Sequence, residues 1–217
     1  MSVASLDSTR WKATETVLLD IARDSWSDPA FQHLIAGFPD DARSDPETLL
    51  AHVEDLTRKD IKAVYLKQLQ GHLWKTGYSS GDLQTPLFDD VIPVLEAWKK
   101  AGKSLVIFSS GSVQAQLQFF AYVKEGSTTR DLLPLFSAHF DTVNAGPKLE
   151  KGSYEKIYNE LSQEAAKVTF LTDNVKEATA ATEAGVYTVV VDRPGNAPLS
   201  PASRAEFAVI RKLSELP

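Results

Sequence analysis

The sequence predicts an α/β protein: a parallel, Rossmann-like sheet with helices on both faces, interrupted once by a helical insertion. Three observations carry this expectation. From about residue 84 onward, short β-prone apolar runs alternate with segments of helical spacing, the pattern of successive βα units. Between residues 24 and 83 the alternation stops and helical periodicity alone remains. The best-defined run, Leu105-Val106-Ile107-Phe108, leads straight into Ser109-Ser110-Gly111-Ser112 and then an amphipathic segment with Val113, Leu117 and Phe120. That is a strand, a tight turn rich in hydroxyls and backbone N–H groups, and a helix start, where the helix dipole favours an anion. The expected organisation is therefore a core from 14–23 and 84–217, with 24–83 inserted.

Taken in order, Thr16-Val17-Leu18-Leu19-Asp20-Ile21 reads as a short buried strand that places Asp20 at the carboxyl edge of the sheet. In the insertion, Ser44-Asp45-Pro46-Glu47 reads as a capping box with Ser44 as N-cap. Leu49, Val53 and Leu56 then recur on one face, and Ile61, Val64, Tyr65 and Leu69 mark a second helix. Residues 71–81, with Trp74, Gly77 and Tyr78, read as a return linker whose aromatics pack. Val91, Val94, Leu95 and Trp98 form a helical stripe that Gly102 stops. His139 to Val143 reads as a short strand leading into Gly146-Pro147-Lys148, and Tyr154, Ile157, Tyr158 and Leu161 mark the next helix. Val168 to Asp173 is a strand ending in an acid, followed by a helix closed by Gly185; Val186 to Val191 is the last expected strand.

Composition narrows the function classes. The chain has 217 residues, 43% of them hydrophobic, enough for a full core, and a net charge of −6 with no Lys/Arg cluster, which argues against a nucleic-acid partner. Without cysteine there is neither a disulfide framework nor a thiolate metal site. Met1 to Arg10 shows neither the charged nor the apolar region of a secretory signal, and no apolar run approaches membrane-spanning length. The four histidines, His33, His52, His72 and His139, lack metal-binding spacing. No G-x-G-x-x-G follows a strand, and no G-x-S-x-G surrounds Ser110, which leaves the dinucleotide and serine-hydrolase readings without support.

Four expected strands end in polar groups: Asp20, Ser109 with Ser110, Lys148 just past the third, and Asp173. In a parallel sheet these ends share one edge and face one cleft. Two carboxylates, two hydroxyls and an ammonium suit phosphoryl chemistry with a hard, oxygen-liganded cation such as Mg²⁺. Asp20 is placed to attack phosphorus, Ser109 and Ser110 to hold phosphate oxygens, and Lys148 to balance charge. Glu177, four residues after Asp173, either orients the metal shell or flanks the helix start.

These residues resemble the haloacid-dehalogenase-type phosphatases, and within them the enolase-phosphatases (acireductone synthases) of methionine salvage. The match is carried by Ser109 to Gln116, Phe136-Ser137 with Phe140-Asp141-Thr142, Gly146-Pro147-Lys148, Phe170 to Glu177 and Arg193-Pro194-Gly195-Asn196. The resemblance implies an Mg²⁺-dependent enzyme that enolises and dephosphorylates 2,3-diketo-5-methylthiopentyl-1-phosphate, working as a cytoplasmic monomer with a nuclear pool allowed. It implies Asp20 as nucleophile and metal ligand, Asp173 as the second metal acid, Ser109, Ser110 and Lys148 as substrate contacts, and the insertion as a helical cap.

The first motif departs from the family. Where the family continues as Asp-Ile-Glu-Gly-Thr and a loop, Asp20-Ile21 runs directly into Ala22-Arg23-Asp24, a deficit of about twenty residues on the scale of a functional loop. Ala22 stands where the family has its metal-binding and proton-shuttling acid. Loss of general acid–base assistance costs about 10²–10⁴-fold in rate. The sequence thus predicts a family member that is severely impaired as written; a catalytically inactive phosphate-binding or interaction homologue is the alternative.

Overall fold

The computed structural model describes residues 19–59, 61, 63–80 and 83–216. They divide into two compact units between Gln84 and Thr85.

The first unit is helical: α1 (19–25), α2 (Pro29–Ile35), α3 (Pro46–Arg58) and α4 (Val64–Ser80). Phe31 and Ile35 of α2, Leu49, Val53 and Leu56 of α3, and Leu66, Leu69 and Leu73 of α4 share its core. The α3 start lies one residue later than expected. Asp45 precedes Pro46 and is therefore held extended (φ −159°), and its carboxylate accepts from Thr48 N at 2.7 Å while Ser44 Oγ donates to it. The expected return linker is helix, because the spacing of Leu66, Leu69 and Leu73 carries the buried face of α4 through Gly71.

The largest departure concerns the first expected strand. Its residues 16–18 lie outside the described residues, and 19–25 form α1. Ala22 is 1% exposed in the helical core, Ile21 packs beside it, and Arg23 donates to Glu47 Oε1 at 2.6 Å. A small, helix-favouring residue with a partner on α3 overrides the β preference of its neighbours. Asp20 therefore stands exposed on a helix rather than at a strand end, and residues 19–23, expected with the core, belong to the helical unit.

The second unit carries the sheet. Strand β1 (Leu105–Phe108) pairs in parallel with β4 (Phe136–Phe140), and β5 (Thr169–Thr172), β6 (Tyr187–Val191) and β7 (Ala208–Ile210) form a second parallel set in that order. β2 (Val123–Glu125) and β3 (Thr128–Arg130) form a separate antiparallel hairpin. The helices are α5 (Val91–Lys100), α6 (Val113–Ala121), α7 (Lys151–Glu160), α8 (Val175–Glu183) and α9 (Pro201–Glu206). Neighbouring strand residues separate to opposite faces: Phe170 packs with Tyr154 and Ile157 of α7, whereas Leu171 packs with Val91 and Leu95 of α5. Helices thus cover both faces, as the sequence predicts.

Three details differ from the sequence reading. The strand expected over 139–143 is Phe136–Phe140, because the Asp141 side chain draws the chain into a turn. A further strand, β7, follows β6, and the β2–β3 hairpin appears between α6 and β4. Among the described residues no strand joins β1 to β5. Both nevertheless pack on one helix: Tyr154 of α7 sets its ring edge-on to Phe108 (5.5 Å between centroids) and to Phe170 (5.0 Å). No helix among the described residues is long and apolar enough to cross a membrane.

A continuous α4 makes a direct forecast. Gly71 is helical and a Cβ there would meet nothing within 4 Å, so Gly71→Ala should raise the unfolding free energy by about 0.5–1 kcal/mol in chemical denaturation. A loss of stability would contradict a helix through residue 71.

Candidate functional site

At the end of β1 the chain turns through Ser109, Ser110, Gly111 and Ser112 into α6. Ser112 is the N-cap, its Oγ accepting from Ala115 N at 3.2 Å. Ser109 Oγ accepts from Gly111 N at 3.1 Å, which leaves its O–H free to donate outward. Ser110 is exposed, and its hydroxyl has no hydrogen bond to another described residue.

The start of α6, expected to attract an anion, already has one of the protein's own. Asp141, 6% exposed at the end of β4, accepts from Val113 N at 2.9 Å through Oδ2 and from Val143 N and Asn144 N through Oδ1. Burial pushes this carboxyl up, but the N–H groups of Asn144, Val113 and Val143 outweigh it and hold it below the usual carboxylate range. A phosphate would therefore meet the Ser109 and Ser110 hydroxyls rather than the first N–H of the helix. Gln116 pins the same turn from behind. Its Nε2 donates to Gly111 O at 2.9 Å and to Phe140 O at 2.8 Å, which explains why Gln116 is buried and Leu117, the expected apolar contact, is 38% exposed.

Lys148 is delivered by a backbone that only glycine fits. Gly146 has φ +113°, and a Cβ there would lie 2.6 Å from Ser153 Oγ, which donates to Pro147 O at 2.7 Å. The Lys148 ammonium sits 5.7 Å from the Phe108 ring centroid and 5.6 Å from that of Phe170, so it contacts a residue of β1 and one of β5. Its partner is Glu177 Oε2 at 2.5 Å, and the two side chains are 7% and 12% exposed. Thr172 Oγ1 donates to the same Glu177 oxygen at 2.7 Å and accepts from Asn174 N at 3.1 Å. Tyr154 Oη donates to the backbone carbonyls of Lys148 (2.7 Å) and Glu177 (3.3 Å). Burial pushes the Tyr154 hydroxyl strongly upward, with the Glu177 charge adding to it, so it stays a donor across the biological pH range. Of the two roles left open for Glu177, the geometry shows a third: it holds Lys148.

Asp173 follows β5. It does not cap α8, since Asn174 does so by accepting from Lys176 N at 2.9 Å. Asp173 Oδ2 accepts from Asn196 Nδ2 at 2.9 Å, and Oδ1 has no hydrogen bond to another described residue. Among the described residues no three His, Asp or Glu side chains converge on a metal position. Asp173 could supply Mg²⁺ with one carboxylate oxygen, the remainder of its shell being waters and substrate oxygens.

Ser109 and Ser110 directly follow β1, Asp173 directly follows β5, and Lys148 lies against the Phe108 and Phe170 rings, all within the sheet unit. Asp20, expected with them, is on α1 of the helical unit. Gln116, Tyr154, Thr172 and Asn196 escaped the sequence reading as site residues. Gln116 carried a signal, a polar side chain on the face that Val113 and Phe120 share at helical spacing; Tyr154 read only as packing.

A sequence profile described as haloacid dehalogenase-like hydrolase matches residues 7–185, and the chain belongs to that family of hydrolases. Enolase-phosphatase E1 of Podospora anserina is 48% identical over 193 residues, 88% of this chain and 82% of that protein. Enolase-phosphatase E1 of Yarrowia lipolytica is 45% identical over 175 residues, 81% and 73% of the two chains. Within the family, the chain is therefore one of the enolase-phosphatases. Among solved structures, the UTR4 protein of Saccharomyces cerevisiae is 31% identical with a TM-score of 0.81, covering 96% of this chain and 91% of that one. A HAD phosphatase from Thermococcus onnurineus (19% identical, TM-score 0.56, 94% and 89% covered) shares the fold.

The buried Asp141 yields a pH forecast. Its pKa is lower folded than unfolded, so the stability it contributes is present above the unfolded value of about 3.9 and is lost as pH falls through the folded one. Asp141→Asn should cost about 1–3 kcal/mol at pH 7, and the difference from the unsubstituted chain should shrink as the acid limb is entered, read by denaturant unfolding at a series of pH values. A difference that stays constant into the acid limb would contradict the assignment.

Proposed function

We propose that this chain is a phosphatase of the methionine-salvage type, acting as a monomer on the small phosphorylated diketone 2,3-diketo-5-methylthiopentyl-1-phosphate, and that its turnover is severely reduced. The observation that carries the reading is the Lys148–Glu177–Thr172 network at the ends of β1 and β5, beside the Ser109–Ser110 turn. The Lys148 ammonium has three donors and uses one on Glu177, leaving two for phosphate oxygens. The Ser109 and Ser110 hydroxyls donate to the same group, and buried walls formed by Phe108, Tyr154 and Phe170 strengthen these contacts by excluding water. Asp173 would hold Mg²⁺ through Oδ1. When bound, that ion neutralises charge on the transferring phosphoryl group.

The reduction has two sources. Asp20, the nucleophile in this reading, stands exposed on helix α1 rather than at a strand end, and Ala22 supplies no acid to shuttle a proton to the leaving group or to assist enolisation. Missing acid–base assistance alone amounts to about 10²–10⁴-fold. Phosphate release from the diketone phosphate in Mg²⁺ is the decisive assay, comparing this chain with one in which Glu-Gly-Thr and the family loop are restored after Ile21. Turnover by the restored chain, at a rate at least about 10²-fold above this one, is expected. Comparable Mg²⁺-dependent turnover by both would refute the impairment, and failure of both would refute the substrate assignment.

A further inference from the structure

The turn after β1 is attached at both ends. Ser109 N donates to Phe140 O at 3.0 Å, which carries the β1–β4 pairing one residue past Phe108. At the other end Gly111 O accepts from Gln116 Nε2 at 2.9 Å, and the same nitrogen donates to Phe140 O at 2.8 Å. One amide of α6 therefore ties the far side of the turn to the carbonyl that holds its near side. Ser110 lies between the two attachments, exposed.

Those two carbonyls settle which way the Gln116 amide faces. A carbonyl oxygen only accepts, so the atom that meets both is the NH₂, with both of its hydrogens used. The remaining atom, Oε1, lies 3.2 Å from His139 Nδ1. Oε1 also only accepts, so the His139 proton sits on Nδ1 and is donated to Gln116. The ring has its own support on β4. His139 is paired opposite Ile107 of β1, its imidazole packs edge-on to Phe136 with 5.7 Å between centroids, and its carbonyl accepts from Asn144 Nδ2 at 3.1 Å. Burial pushes the imidazole pKa down, which favours the neutral ring whose single proton Gln116 claims.

We propose that His139 is a positioning residue for phosphate: from β4 it holds the Gln116 amide, which holds Gly111 and so sets the Ser109–Ser110 turn. The inference rests on the proposed reading of that turn as the phosphate site. Without the His139 donor, Gln116 Oε1 loses its partner, and the amide gains by turning toward water and releasing the carbonyls. A histidine that lacks metal-binding spacing thereby acts on hydroxyls it does not touch.

Two measurements on the full chain test it. Nitrogen NMR of the histidine rings above the His139 titration should find the proton on Nδ1, and Gln116→Leu, which removes the acceptor, should release that preference. Calorimetric binding of inorganic phosphate should weaken about 3–10-fold in His139→Phe, which keeps a ring against Phe136 but has no donor. His139→Asn carries an amide nitrogen where the imidazole has Nδ1 and should recover most of the affinity. A His139 proton on Nε2, an unchanged affinity in folded His139→Phe, or equal weakening in the Phe and Asn variants overturns the role of His139 while leaving the turn as the phosphate site. Failure of the unsubstituted chain to bind phosphate overturns both.

Discussion

A charged lysine held 7% exposed against the Phe108 ring of β1 and the Phe170 ring of β5 is the constraint on which the sheet unit depends. Removing an ammonium from water costs several kcal/mol unless a partner and hydrogen bonds compensate. Here the compensation comes from three elements at once: Glu177 from α8, Thr172 from β5, and the Phe108 and Phe170 ring faces. Tyr154 of α7 ties the Lys148 and Glu177 backbones together, so α7, α8, β1 and β5 are bound to one another through a single polar cluster. The pair is neutral overall and occupies one of the three ammonium donors of Lys148.

The same economy governs the start of α6. A helix N-terminus attracts negative charge, and in this chain Asp141 answers that demand from the neighbouring strand. The Ser109–Gly111 turn is thereby clamped from Asp141 through Val113 and from Gln116 through Gly111, and its hydroxyls face outward without competing for the helix dipole. In the proposed function, phosphate would be met by these hydroxyls and the Lys148 ammonium, with the backbone serving to hold them.

Most of the sheet unit was legible in the sequence because its strands are short apolar runs that end in chemistry: Phe108 before Ser109, Leu171 and Thr172 before Asp173. Their continuous apolar character and their polar ends say where the edge is. Segments set by tertiary partners were not legible. The run around Asp20 has β-prone residues, yet Ala22 docks in the helical core and Arg23 pairs with Glu47, contacts at long sequence separation that no local pattern announces. Gly71 suggested a linker, whereas the Leu66, Leu69 and Leu73 stripe decides for helix. Asn196 reads as an ordinary turn residue until the fold brings it 2.9 Å from a carboxylate 23 residues earlier.

In the proposed function the phosphate half-site is assembled by the sheet unit alone, without Asp20. Calorimetric binding of inorganic phosphate to the unsubstituted chain tests it most directly, alongside Asp20→Asn and Lys148→Met. Saturable binding that Asp20→Asn leaves unchanged and Lys148→Met abolishes is the result the structure predicts. Binding that disappears with Asp20→Asn, or that survives Lys148→Met, would contradict it.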